Sequence, residues 1–87
     1  MSRTADEIEH WLTARVATLT GVQAEDVDPA APLTRHGLDS VAAISLVADL
    51  EKWLGYRFRE NPLEQYPTIA ALSRFLADET ASGKPSK

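Results

Sequence analysis

Apolar positions recur every three or four residues in three stretches of this chain, and the long segment between the first two has no period. In TADEIEHWLTARVATLTG, residues 4–21, Ile8, Trp11, Leu12, Val16 and Leu19 share one face of a helix turned about 100° per residue. Thr4 with Glu7 three residues later reads as a capping box, in which each residue satisfies the other's free amide. Asp6, Glu7 and Glu9 suit the positive end of the helix dipole, and Gly21 is the expected stop. Arg15 falls near the centre of the apolar face, so its stem is expected along apolar surface with its head in water.

Residues 22–39 carry Pro29, Pro32 and Gly37 and read as a long loop. Val22, Val27, Leu33 and Leu38 punctuate it and are expected to pin it to the core. A second helix follows in SVAAISLVADLEKWLG, residues 40–55. There Ala43, Ile44, Val47, Leu50 and Leu54 fall within one arc, with Leu46 and Trp53 flanking it on one side and Val41 and Ala48 on the other. Ser45, Asp49 and Lys52 take the wet face, and Gly55 ends the helix. NPLEQY predicts a short third helix with Asn61 as cap and Pro62 at the first helical position. After Pro67, Thr68 caps a last helix whose face is Ile69, Leu72, Phe75 and Leu76. The expected fold is all-α: a four-helix bundle of three main helices plus a short third, with a long loop between helices 1 and 2. Residues 1–80 are expected to form the domain and 81–87 a polar tail or linker.

Composition narrows the function classes. The 87 residues include no cysteine, and His10 and His36 lie far apart with no ligand-type spacing, so no metal site is expected. Nine basic against thirteen acidic residues give a net charge of -4, which disfavours nucleic acid. No apolar run approaches the roughly 20 residues that span a bilayer, and the first residues lack the apolar core of a signal peptide. A cytoplasmic location with no membrane partner is the resulting expectation.

The chemistry concentrates in RHGLDSVAA, residues 35–43, where Ser40 stands between a turn and an apolar run. The hydroxyl could cap the helix, since serine is a preferred N-cap. It could be a nucleophile, but GLDSV is no G-x-S-x-G elbow, no strand pattern supports one, and His36 is a poor candidate base on the loop. It could be a handle for a covalent group. A helix N-terminus tolerates a phosphodiester well, and Gly37 lets the chain turn into it.

GVQAEDVDPAAPL, GLDSV, LVADLEKWLG and YPTIAALSRFL occur in this order within residues 21–76. In them the chain resembles the acyl carrier proteins of polyketide and fatty acid synthesis, and the resemblance extends over roughly residues 5–78. The resemblance implies a carrier without catalysis of its own, in which Ser40 receives 4′-phosphopantetheine from coenzyme A through a phosphopantetheinyl transferase. The thiol of that arm then carries acyl groups as thioesters, so the reactive sulfur is added rather than encoded. Partners implied are ketosynthase, acyltransferase and other synthase enzymes, which would read Leu38, Asp39, Val41 and Ala42. A monomer is expected.

Asp39 before the serine matches the acyl form of the motif; peptidyl carriers more often show histidine or another residue there. Free-standing fatty-acid carriers have a strongly acidic second helix, whereas Asp39–Leu54 holds three acids (Asp39, Asp49, Glu51) against Lys52, a net of -2. The loop from Gly55 to Pro62 holds Arg57 and Arg59 against Glu60, a net of +1. Apolar, local docking is expected, which leans towards a polyketide carrier. The rival readings are an aminoacyl carrier of a peptide synthetase or hybrid line, and a helical interaction domain in which Ser40 is only a cap. Trp11 and Trp53 are expected at the edge of the core, and Tyr56, Phe58 and Tyr66 are expected to close the bundle near the third helix.

Overall fold

The computed structural model describes residues 4–58 and 61–81; of the tail expected at 81–87 only residue 81 is described, within the last helix, while 82–87 and the loop charges Arg59 and Glu60 lie outside the described residues. Four helices follow one another: α1 Ala5–Thr20, α2 Ser40–Leu54, α3 Pro62–Gln65 and α4 Ile69–Ala81. The only β feature among the described residues is an isolated bridge between Pro32 and Thr68. The helix ends sit where local chemistry places them. Thr4 Oγ1 accepts from the Glu7 amide at 3.1 Å, and Glu7 Oε1 accepts from the Thr4 amide at 3.0 Å. Gly21 closes α1 with φ 78°, a left-handed conformation that costs other residues strain. Asn61 Oδ1 caps α3 at the Leu63 amide, and Thr68 Oγ1 caps α4 at the Ala71 amide.

Ile8, Leu12 and Val16 of α1, Leu46 and Leu50 of α2, and Ile69, Leu72 and Leu76 of α4 are fully buried and form one cluster. Arg15 pairs with Asp49 and Trp11 stacks on Trp53, so each step forward along α1 is matched by a step backward along α2. The two helices are therefore antiparallel. Arg15 does not extend its head into water as expected. Its guanidinium reaches across to Asp49, which is itself only half-exposed rather than on the wet face. Ser73 is buried in α4 and donates to the Ile69 carbonyl at 2.7 Å, so its hydroxyl is satisfied inside its own helix.

The long loop holds two short 3-10 turns, Ala24–Asp26 and Leu33–His36, that lack the periodicity of an α-helix and gave no sequence signal. Val27, Leu33 and Leu38 anchor it in the core as expected. Backbone bonds also tie it to the start of α4, from the Leu33 amide to Pro67 O and from the Ala70 amide to Pro29 O, both 2.9 Å. Tyr66 stacks on Phe75, Tyr56 meets Phe58 edge to face, and the Tyr56 hydroxyl donates to Glu79 at 3.0 Å. Burial, with the hydrogen bond and the negative charge of Glu79, raises the Tyr56 pKa above its usual value.

The second helix bears out part of the expected arc, since Leu50 is buried and Ala43 and Leu54 pack against the core, and corrects the rest. Its buried edge runs through Leu46 and Leu50, whereas Ile44, placed in the core arc by periodicity, is 70% exposed. Apolar residues occur on nearly every side of this helix, so the period fixes its amphipathic shape poorly. Its neighbours, α1 and the anchored loop, choose the face.

Candidate functional site

Ser40 is the first residue of α2, and the segment before it is built to hold it there. The turn Leu33–His36 ends at Gly37, whose φ of 86° needs a residue without a Cβ clash. Leu38 then drops into the core at 7% exposure and fixes the height of the chain. His36 braces the same loop, its Nε2 accepting from the Asp28 amide at 3.3 Å. It is thus committed to the loop and is not placed as a base for Ser40.

The cap of α2 is Asp39, not Ser40. Its Oδ1 accepts from the Ala42 amide at 2.8 Å, and its carbonyl accepts the first helical bond from Ala43 at 2.8 Å. Ser40 is exposed, and its hydroxyl makes no hydrogen bond among the described residues. The amides at the start of a helix precede its first internal bond and favour an anion at this end. A phosphodiester on Ser40 is therefore sterically free and electrostatically tolerated, and a neighbouring carboxylate, rather than Ser40, carries the capping load. Asp39→Ala is expected to cost about 1 kcal/mol and to lower the melting temperature by roughly 4–8 °C, read by circular dichroism. Asp39→Asn keeps the cap, so a melting point near the parent's is expected for it; an equal loss in both variants would remove Asp39 from the capping role.

Of the expected docking residues, Asp39 and Val41 are exposed, Ala42 is half-buried and Leu38 is buried. Sequence periodicity missed one member of this face. Val41 (74% exposed) and Ile44 stand out as large exposed apolar side chains, and Ser45 and Ala48 extend the same exposed, uncharged strip along α2. Beside the site lies an apolar pocket of about 110 Å³ between Pro32, Leu33, Thr34, Leu38, Ala43, Leu63 and Pro67. No group of side chains among the described residues could hold a metal ion, and no helix among them is long and apolar enough to cross a membrane.

A family profile described as "Phosphopantetheine attachment site" matches residues 10–76. The acyl carrier protein TtuC of Teredinibacter turnerae is 34% identical over 74 residues, which cover 85% of this chain and 85% of the relative. The highly reducing polyketide synthase NEC1 of Pyricularia oryzae is 38% identical over 66 residues, which cover 76% of this chain and 2% of that protein. Among solved structures, a free-standing peptidyl carrier protein from Acinetobacter baumannii superposes with a TM-score of 0.83 at 32% identity, covering 88% of this chain and 96% of the other.

Proposed function

We propose, since this chain belongs to the phosphopantetheine attachment site family of non-catalytic carrier proteins, that Ser40 is the residue that bears the arm and that the cargo is an acyl group in polyketide assembly. The observation that carries the assignment is the exposed hydroxyl of Ser40, left unbonded at the head of α2 because Asp39 takes the cap. The arm supplies a thiol that holds the cargo as a thioester, a group the chain itself lacks for want of cysteine. The chain's own part is to present Ser40 to a phosphopantetheinyl transferase and the loaded arm to ketosynthase, acyltransferase and other synthase enzymes. It does so as a monomeric unit within residues 1–80, in the cytoplasm.

Incubation with coenzyme A and a broad-specificity transferase tests this directly by intact mass. A gain of one phosphopantetheinyl unit, mapped to the peptide holding Ser40, is the expected result. No gain from a folded, unmodified sample would overturn it.

Docking would rest on Asp39, Val41 and Ala42, supported from beneath by the buried Leu38 and extended by Ile44. With an uncharged strip at its centre, this surface favours short-range apolar contact over long-range steering. The transferase rate is expected to change less than about threefold between low and moderate salt, because steered encounters are the ones that ions screen. Val41→Asp is expected to lower kcat/KM of modification by about fivefold or more without loss of fold, since its side chain is in solvent. A steep salt dependence, or a Val41→Asp rate equal to the parent's, would remove this surface from the account.

The similarity to a peptidyl carrier favours a second reading, an aminoacyl cargo. Asp39 before the serine weighs towards the acyl form. Presenting the loaded arm to acyltransferase and adenylating partners separates the two, since only one class would charge it.

A further inference from the structure

We infer, resting on Ser40 as the attachment site, that Arg15 is a positioning residue for loading. Its ion pair with Asp49 sets the rotation of α2 about its own axis, and so turns Ser40, Val41 and Ile44 outward together. Both members of the pair are half-buried between α1 and α2. The Arg15 Nε is buried with no acceptor among the described residues, so the pairing of this guanidinium runs through Nη2 to Asp49.

The apolar residues of α2 do not fix its rotation by themselves. Leu46 and Leu50 mark the buried direction of the helix. The arc of Ala43, Ile44, Val47, Leu50 and Leu54 is centred about 80° away from it. Either setting lays aliphatic side chains on the core; turned by that angle, α2 would bury Ile44 and Val47 and move Leu46 to its flank. Charge separates the two settings. Asp49 lies about 80° from the buried direction in the structure, on the flank that meets α1. In the alternative it would lie about 160° from the core, in water and out of reach of Arg15. The guanidinium would then face an aliphatic arc without a counter-charge, which is costly. Trp53, one turn on from Asp49, would part from Trp11 in the same movement.

The rotation matters most at the head of the helix. Ser40 lies about 100° from the buried direction in the structure, and would lie about 20° from it in the alternative. Leu38 fixes where α2 begins, and the pair nine residues beyond Ser40 fixes how it is turned. A half-exposed ion pair adds little to stability. Its use here is to select one of two packings.

The chain has no cysteine, so Ile44→Cys supplies a single thiol that reports the setting of α2. Its reaction with iodoacetamide is expected to slow about threefold when Asp49→Lys or Arg15→Glu is added, since each turns attraction into repulsion. With both added, the pair is restored in reverse and the rate of Ile44→Cys alone is expected to return. Local unfolding would speed the reaction, so slowing reports rotation and not loss of fold. The two single changes shift net charge in opposite directions, so slowing in both is no effect of charge on the thiol. With Ile44 retained, the KM for the carrier in transferase modification is expected to rise about threefold in each single variant with kcat unchanged, because only the outward setting binds. The swapped pair is expected to restore it. Alkylation as fast as in Ile44→Cys alone, or faster, in either single variant would overturn the inference, as would a swapped pair that stays slow. A parent chain that takes up no arm would overturn the assignment of Ser40 instead, and the alkylation rates, which need no arm, would still decide how α2 is turned.

Discussion

Ser40→Ala is expected to abolish covalent loading completely while shifting the melting temperature by no more than about 3 °C, from a stability change within about 0.5 kcal/mol. The two halves of this result come from the same geometry. The hydroxyl is the only attachment point proposed for the arm, so its removal leaves the transferase nothing to modify. It also makes no hydrogen bond among the described residues and stands in solvent, so the fold loses little with it. The cap that a serine could have supplied is held instead by Asp39 at the Ala42 amide. Had Ser40 been the cap, Ser40→Ala would cost about 1 kcal/mol and Ser40→Asp would be accepted in its place. In a carrier Ser40→Asp also loses all loading, because a carboxylate does not take up the arm. Intact mass and a thermal melt on the parent and both variants decide it. A modified Ser40→Ala would move the attachment site elsewhere, and a large drop in melting temperature would return the cap to Ser40.

What was legible in the sequence was mostly local. Thr4 with Glu7, Gly21, Gly55, Asn61 with Pro62, and Thr68 each end or begin a helix through contacts within four residues, so the chain displays them without its fold. The site was legible for the same reason, as a turn, a carboxylate and a serine in succession at the head of a helix. Partners distant in sequence left no such mark. Arg15 and Asp49 are 34 residues apart, and only the antiparallel packing of α1 on α2 brings them together. The distinction between Asp39 and Ser40 as cap is a matter of one residue's backbone conformation: Asp39 is extended, with φ -88° and ψ -178°, and the helix begins just after it. Either residue type satisfies the capping preference, so composition does not decide between them.

The orientation of α2 is the largest departure from the sequence reading, and two substitutions on that helix separate the alternatives. Leu46→Ala is expected to destabilise the fold by about 2–5 kcal/mol, because the side chain is fully buried and the cavity left behind collapses only partly. For an 87-residue domain that is a large share of the roughly 5–15 kcal/mol that holds such folds together. Ile44→Ala, two positions away, is expected to change stability by no more than about 0.5 kcal/mol. Its side chain is 70% exposed, and alanine's higher helix propensity offsets what little packing is lost. The same variant is expected to slow transfer to partner enzymes, because Ile44 continues the apolar strip begun by Val41. Urea denaturation followed by circular dichroism measures the first pair of effects, and kcat/KM with a transferase measures the last. The periodic reading places Ile44 in the core arc and Leu46 at its flank, so it requires Ile44→Ala to be the damaging change. A loss above about 1.5 kcal/mol for Ile44→Ala would restore that reading and take Ile44 off the docking face. A stable Ile44→Ala that transfers poorly would show that α2 keeps isoleucine there for the proteins that bind it, at a position where the fold itself gains almost nothing from the side chain.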